Sequence, residues 1–326
     1  MLTTRPGRRL DKGESLAHES KLNETLVKTL LERQFPQHPF GVAPVEYLAE
    51  GQDFMVFAVA GWAFRFPKRA ETADWLGKEQ KLLDYLGPRV SLAVPAFTHW
   101  GEPSDLFPFP FVGYRLLAGV AGDIKENIDW RQTAIRLGRF LSELHSVPAV
   151  DLQSLEIPVC SDLFAPGAYL GRVRDTLHPE LTGLPGVLRR ACESFLQASS
   201  VPDPPKNLRL IHGDLEAEHL LFAPETEELQ GVLDWADACV GDPARDFGAV
   251  WAWGGERFLF DLLANYTCPL DRNFLERCLF LGRCFALLDY HESLPDGEEQ
   301  FKFSIAQLEN VFTKERIVYG HPDLYA

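Results

Sequence analysis

Two apolar runs in the second half of the chain end on acidic residues. Leu210-Ile211 gives way to His212-Gly213-Asp214, and twenty residues after Asp214 the run Gly231-Val232-Leu233 stops at Asp234. A short apolar run bounded by turn residues reads as a buried strand. His219, five residues after Asp214, is a further potential ligand. Two strand-end carboxylates with such a ligand make a cage for a hard cation, such as Mg²⁺ on a nucleotide, because hard cations take oxygen ligands. One carboxylate then remains to orient a substrate hydroxyl. Each residue alone carries little, since Asp is a favoured cap and His-Gly-Asp is often a turn. The combination is what constrains the fold: both strand ends must open on one site.

The rest of the chain supplies two unlike regions. Lys21–Gln34 repeats Leu22, Leu26, Leu30 and Leu31 at helical spacing. Val42–Leu48, Phe54–Val59 and Trp62–Phe66 read as strands, with Gly51 and Gly61 at the turns. Thr72–Leu86 reads as a helix with Leu76, Leu82, Leu83 and Leu86 on one side, and Phe111–Leu117 as a further strand. After a connector marked by Gly119 and Gly122, Ile128–Val147 is a strong helix, with Ile135, Leu137, Phe140, Leu141 and Leu144 recurring. Leu208–Ile211, Leu220–Phe222 and Gly231–Leu233 are short strands, and from Asp246 onward the pattern is mostly helical. The reading is an α+β chain with a polar, mobile stretch at 1–20, a β-rich lobe at 21–118 and a larger helical lobe at 119–326. Such a pair encloses a cleft, where small-molecule sites often lie.

Of the 326 residues 46% are apolar, which excludes a disordered chain. The net charge of −15 argues against a nucleic-acid partner. Residues 1–124 are nearly neutral, with 14 Lys and Arg against 15 Asp and Glu, whereas the remaining 202 hold 18 against 32. A cationic ligand of the second region would be attracted. Nothing reaches the roughly 20 apolar residues of a membrane span, and no apolar stretch follows the N-terminal arginines. The six cysteines form no CxxC pair. Free buried thiols in a reducing, cytoplasmic setting are expected.

The three blocks His212-Gly-Asp-Leu-x-x-x-His219, Gly231-Val-Leu-Asp234-Trp235-Ala-Asp237 and Gly241-Asp242-Pro243-x-x-Asp246-Phe247 resemble the aminoglycoside phosphotransferase family. That family is similar to protein kinases and includes macrolide and other small-molecule kinases; the resemblance covers about residues 40–290. It implies a protein-kinase-like two-lobed fold and transfer of a nucleotide γ-phosphoryl group to a substrate hydroxyl, with Mg²⁺ and ATP or GTP. Asp214 would be the catalytic carboxylate and Asp234 the metal ligand. His219 stands where kinases carry Asn, either on the metal or acting through water or phosphate, because Mg²⁺ prefers oxygen. Asp242 and Asp246 match positions that brace the catalytic loop.

The same resemblance asks the first lobe for a phosphate-gripping cation. In Trp62-Ala63-Phe64-Arg65, strand alternation puts Ala63 and Arg65 on the nucleotide face and Trp62, Phe64 and Phe66 on the other. Arg65 is favoured over Lys68, which follows Pro67 as the strand ends. Glu79 is the expected ion-pair partner, Gly51 the turn over the phosphates, and the backbone from Tyr114 to Leu116 the contact for the base. Substrate contacts are sought among Glu256, Asp261, Asp289 and Glu292, with Trp251 and Trp253 as an apolar wall or as core. The expected activity is phosphorylation of an aminoglycoside. A macrolide or metabolite kinase, or a non-catalytic nucleotide-binding member, is the alternative.

Overall fold

Leu26, Leu30 and Leu31 do sit on a helix, α1 (Glu24–Gln34), whose Asn23 side chain accepts the Leu26 amide as its N-cap. Helix α1 covers one face of a five-stranded antiparallel sheet ordered β1-β2-β3-β5-β4, from β1 (Val45–Glu50), β2 (Phe54–Val59), β3 (Trp62–Pro67), β4 (Phe97–Gly101) and β5 (Phe111–Arg115). The turn between β2 and β3 is Ala60-Gly61, both at positive φ, the backbone hand a two-residue hairpin needs. Phe64 and Phe66 point toward α1 and pack with Val27, Leu30, Leu31, Phe57 and Phe111. Ala63 faces the opposite way, into the core shared with helix α2 (Ala70–Leu86). The alternation read from the sequence therefore holds. The computed structural model describes residues 22–51, 53–160, 166–177, 180–198, 200–294 and 298–313; the 1–20 stretch lies outside them.

Beyond β6 (Val120–Ala121) the chain is mainly helical. It runs through α3 (Trp130–His145), α4 (Ala149–Ser154), α5 (Pro166–Leu177) and α6 (Gly186–Ala198). The strands β7 (Arg209–Ile211), β8 (Leu220–Phe222), β9 (Leu229–Val232) and β10 (Cys239–Gly241) follow. Helices α7 (Ala244–Leu263), α8 (Phe274–Ser293) and α9 (Glu298–Phe312) complete it. Two small sheets, β10-β7 and β6-β8-β9, hold the loops that carry the acidic motifs. Ala93, between α2 and β4, is stitched to β9: its amide donates to the Gln230 carbonyl (2.9 Å) and its carbonyl accepts from Val232 (2.8 Å). The sheet region and the helical region thus join beside Asp234.

Several expectations need correction. The first strand starts at Val45, because Pro39–Gly41 form a 3-10 turn and Val42 is 85% exposed. The strand beginning at Phe111 ends at Arg115, not Leu117. Strands β4 and β10 escape the sequence pattern, since Thr98, His99 and Gly101 hide the alternation of one and the other is three residues long. Ile135 is 37% exposed, outside the buried stripe of α3 that Leu137, Phe140, Leu141 and Leu144 make. The cysteines are not all free: Cys160 and Cys239 form a disulfide, while Cys192, Cys268, Cys278 and Cys284 are thiols. Cysteines 79 residues apart share no local pattern, so only the fold shows that they meet.

Candidate functional site

Arg65 leaves β3 on the face away from α1 and is 5% exposed. Its guanidinium donates to Glu79 Oε1 of α2 at 2.5 Å and lies 3.5 Å from Asp234 Oδ1. The Phe54 ring stacks on it, 4.0 Å from centroid to guanidinium carbon. Glu79 is fully buried. Burial pushes its carboxyl up, and Arg65 acts against that push without cancelling it. A buried carboxylate of this kind persists only when paired. The pair expected from fourteen-residue spacing is therefore present, and its cation reaches on toward Asp234. Lys68 is half-exposed and donates to Glu50 Oε1 and to the Gly51 carbonyl, away from this cluster.

The second strand end is built by hydrogen bonds to one buried carboxylate. Asp246, the third residue of α7 and fully buried, accepts the amides of His212 (2.9 Å) and Gly213 (3.0 Å) and meets His145 Nε2 at 3.1 Å. Burial alone would raise its pKa; the hydrogen bond and charge of His145, with His212 and the Gly213 amide, hold it below the ordinary carboxylate value. Gly213 has φ +85, and a Cβ there would meet the Asp237 carbonyl oxygen at 2.4 Å, so the turn requires glycine. His212 donates from Nε2 to the Leu233 carbonyl (2.8 Å) and accepts the Asp214 amide on Nδ1 (3.3 Å). Burial pushes this imidazole down to about 4, so at neutral pH it is uncharged and its single N–H ties the two motif loops together. Asp242 pairs instead with Arg277 of α8, at 2.7 Å.

Between these loops lies His219. Its Nδ1 donates to the Asp214 carbonyl at 2.7 Å, which aims Nε2 at Asp234 Oδ2 and Glu218 Oε1, each 3.8 Å away. Asp214 Oδ2 is 3.8 Å from Nδ1. Burial lowers the imidazole's affinity for a proton, but Asp214, Asp234 and Glu218 outweigh it and bring the pKa up to about 9. Asp234 leaves β9 at φ +58 with its side chain 47% exposed. Burial of part of the group acts upward; the Arg65 and His219 charges dominate and keep it below the usual range. Among the described residues no group of three His, Cys, Asp or Glu side chains encloses a cation. The donors present, carboxylate oxygens opening on a cleft, fit Mg²⁺ that takes its remaining ligands from phosphate and water.

The structure thus brings Arg65, Glu79, Asp214, His219 and Asp234 together. Tyr114 is nearby: its phenol, 7% exposed, is pushed up to about 12 by burial, with Arg65 pulling the other way. Its backbone lies in the β-ladder between Ala63 and Phe97. The Leu116 amide, expected to face the base, donates to the Gly61 carbonyl at 3.1 Å and is engaged there. The Gly51 amide donates to the Phe54 carbonyl and closes the turn after β1. Among the substrate candidates, Asp261 pairs with Arg257 within α7, Asp289 is 8% exposed and Glu292 is half-buried. Trp253 is core, packed on Trp130 and Phe258. Trp251 and Glu256 share a pocket of about 240 Å³ with Phe195, Arg283 and Phe312. Sequence reasoning does not single out Glu218, His145 or Phe54. Glu218 is visible as one of the acids at 214, 216 and 218; His145 and Phe54 give no signal, because their partners are distant in sequence.

Residues 44–276 match the phosphotransferase enzyme family. Viomycin phosphotransferase of Streptomyces vinaceus is 33% identical over 93 residues, which spans 28% of this chain and about a third (32%) of that relative's length. The uncharacterized protein YcbJ of Bacillus subtilis is 27% identical over 230 residues, 66% of this chain and 72% of that one. The GDP and kanamycin complex of APH(2'')-IIIa superposes with a TM-score of 0.66 at 27% identity, covering 87% of this chain and 97% of that one. Macrolide 2'-phosphotransferase MphH from Brachybacterium faecium shares the fold at 24% identity, with a TM-score of 0.59 and coverage of 90% and 99%. With the family match spanning most of the chain, this protein belongs to the phosphotransferase enzyme family.

Proposed function

We propose that this protein moves the terminal phosphoryl group of ATP or GTP to a hydroxyl of a cationic small molecule, an aminoglycoside before other candidates. The observation that carries the reading is the meeting of Asp214, Asp234 and Arg65 around one imidazole, with Glu79 locking the guanidinium. Asp214 is placed to accept and orient the proton of the attacking hydroxyl. In a loose phosphoryl-transfer transition state little covalent work falls to the protein, so positioning that oxygen and matching charge are its main tasks. Arg65 presents a planar fork to phosphate oxygens. Mg²⁺, when bound, would be held by Asp234 and His219 and would neutralise charge on the phosphates. Kanamycin in a relative's complex and the acidic balance after residue 124 support a cationic acceptor. A macrolide is the second reading, favoured by the aromatic wall of Phe195, Trp251 and Phe312.

The test is nucleotide-dependent phosphorylation by the purified protein, with ATP and with GTP, of kanamycin, viomycin and a macrolide. Transfer to the first two and not the third is expected. Asp214→Asn should lower turnover by at least about a hundredfold while nucleotide affinity stays within about twofold, since general-base contributions are of that order. Near-normal turnover in that variant would remove Asp214 from the reaction.

A further inference from the structure

Glu218 is the one buried acid at the site that the proposed reaction leaves without a task. It lies in a 3-10 turn, Ala217–His219, between the Asp214 loop and β8, and is 5% exposed. Its Oε1 and Asp234 Oδ2 flank the same atom, His219 Nε2, each at 3.8 Å. The turn also backs onto the start of the helical region, since the Gly122 amide donates to the Ala217 carbonyl at 2.9 Å. Glu218 is thus seated by backbone on both sides, with its carboxylate toward the site.

The charges do not balance without a ligand. Glu79, Asp214, Glu218 and Asp234 bring four carboxylates to a cluster whose cations are Arg65 and, counted as protonated, His219. The excess of two negative charges equals the charge of one divalent cation. Buried charge is costly unless matched. The ligand chemistry points the same way. Imidazole suits transition metals, whereas Mg²⁺ and Mn²⁺ take carboxylate, phosphate and water oxygens. With His219 in the position of the expected oxygen ligand, a second carboxylate beside it supplies what the imidazole lacks.

Resting on the phosphotransfer reading above, we propose that Glu218 is the second carboxylate of the divalent-cation site, sharing with Asp234 the charge of the ion carried by the nucleotide. The experiment is a Mn²⁺ titration of the full-length protein saturated with a non-hydrolysable ATP analogue, followed by the electron paramagnetic resonance of free Mn²⁺. It is run for wild type, Glu218→Gln, Glu218→Asp and Asp234→Ala. Binding of a fluorescent nucleotide in excess chelator gives the metal-free affinity in parallel. Asp234→Ala and Glu218→Gln should each weaken Mn²⁺ binding about tenfold or more, the usual loss when a partner of a metal site is removed. Glu218→Asp should retain more of it than Glu218→Gln, and metal-free nucleotide affinity should stay within twofold. If Asp234→Ala weakens Mn²⁺ binding and Glu218→Gln matches wild type, the assignment of Glu218 is overturned while the phosphotransfer reading stands. If Glu218→Gln lowers metal-free affinity and Mn²⁺ binding in proportion, Glu218 is structural and the assignment is equally overturned. If Asp234→Ala also matches wild type, the reading of the site itself falls.

Discussion

Arg65 and Lys68 are three residues apart and both cationic, yet their surroundings give them opposite weights. Arg65 is held by a fully buried Glu79 and reaches Asp234; Lys68 holds Glu50 at the surface. Arg65→Ala removes a charge-assisted contact to phosphate, worth about 1.5–3 kcal/mol, so nucleotide KM should rise or turnover fall roughly ten- to a hundredfold. It also strands Glu79, and breaking a buried pair costs about 3–5 kcal/mol of stability. Kinetics must therefore be read at a temperature where circular dichroism shows the variant folded. Lys68→Ala loses an exposed ion pair, worth under about 1 kcal/mol, and should cost well under tenfold in activity. Steady-state kinetics of the two variants check this. A severe defect in Lys68→Ala beside a mild one in Arg65→Ala would refute the placement of the phosphate contact.

At the scale of elements, the two motif loops are tied to the start of α7 by Asp246. Its folded pKa is depressed by His145 and the amides of His212 and Gly213. A depressed carboxylate contributes stability that is present above its unfolded pKa of about 3.9 and is lost as pH falls through the folded value. His212, buried and neutral with a pKa of about 4, acts in the same direction. The unfolded chain takes up its proton near pH 6.5 and the folded chain does not, so this part of the stability drains between about pH 6.5 and 4. Melting temperature should therefore fall in two overlapping stages on acidification. In Asp246→Asn the stage below about pH 4 should flatten, although that variant starts from a lower melting temperature at pH 7. Differential scanning calorimetry from pH 7 to pH 3 measures both slopes, and parallel curves would contradict the role given to Asp246.

The whole molecule carries a tether that spans its helical part. Cys160, ahead of α5, is joined to Cys239 on β10, and β10 pairs with β7, the strand that leads into His212. The same neighbourhood is reinforced by backbone: Cys160 donates to the Val240 carbonyl and Val240 to the Pro158 carbonyl, both at 2.8 Å. A disulfide closing a loop of this length stabilises by about 2–4 kcal/mol, mainly through the unfolded chain. Reduction with a dithiol should lower the melting temperature of the wild type by several degrees. Cys160→Ser should melt near the reduced wild type and be insensitive to the dithiol. Equal melting of oxidised and reduced wild type would show that the bond adds nothing to stability.

How much of this is legible in sequence follows from the range of each interaction. Hydrophobic period and turn residues are local, so α1, α2, α3, β2, β3 and β8 can be read from their own residues, as can the two faces of β3. Family motifs record side chains whose spacing the chemistry demands, which is why the amino-acid sequence alone points to Asp214, His219, Asp234 and the Arg65–Glu79 pair. Tertiary structure decided what depends on elements far apart in the chain. It paired Cys160 with Cys239, set His145 against Asp246, brought the Phe54 ring over Arg65 and committed the Leu116 amide to Gly61. It also turned Glu218 from one acid among several into a buried neighbour of the imidazole. Burial and charge balance are sums over the residues that packing brings together, and no single stretch of sequence contains that sum.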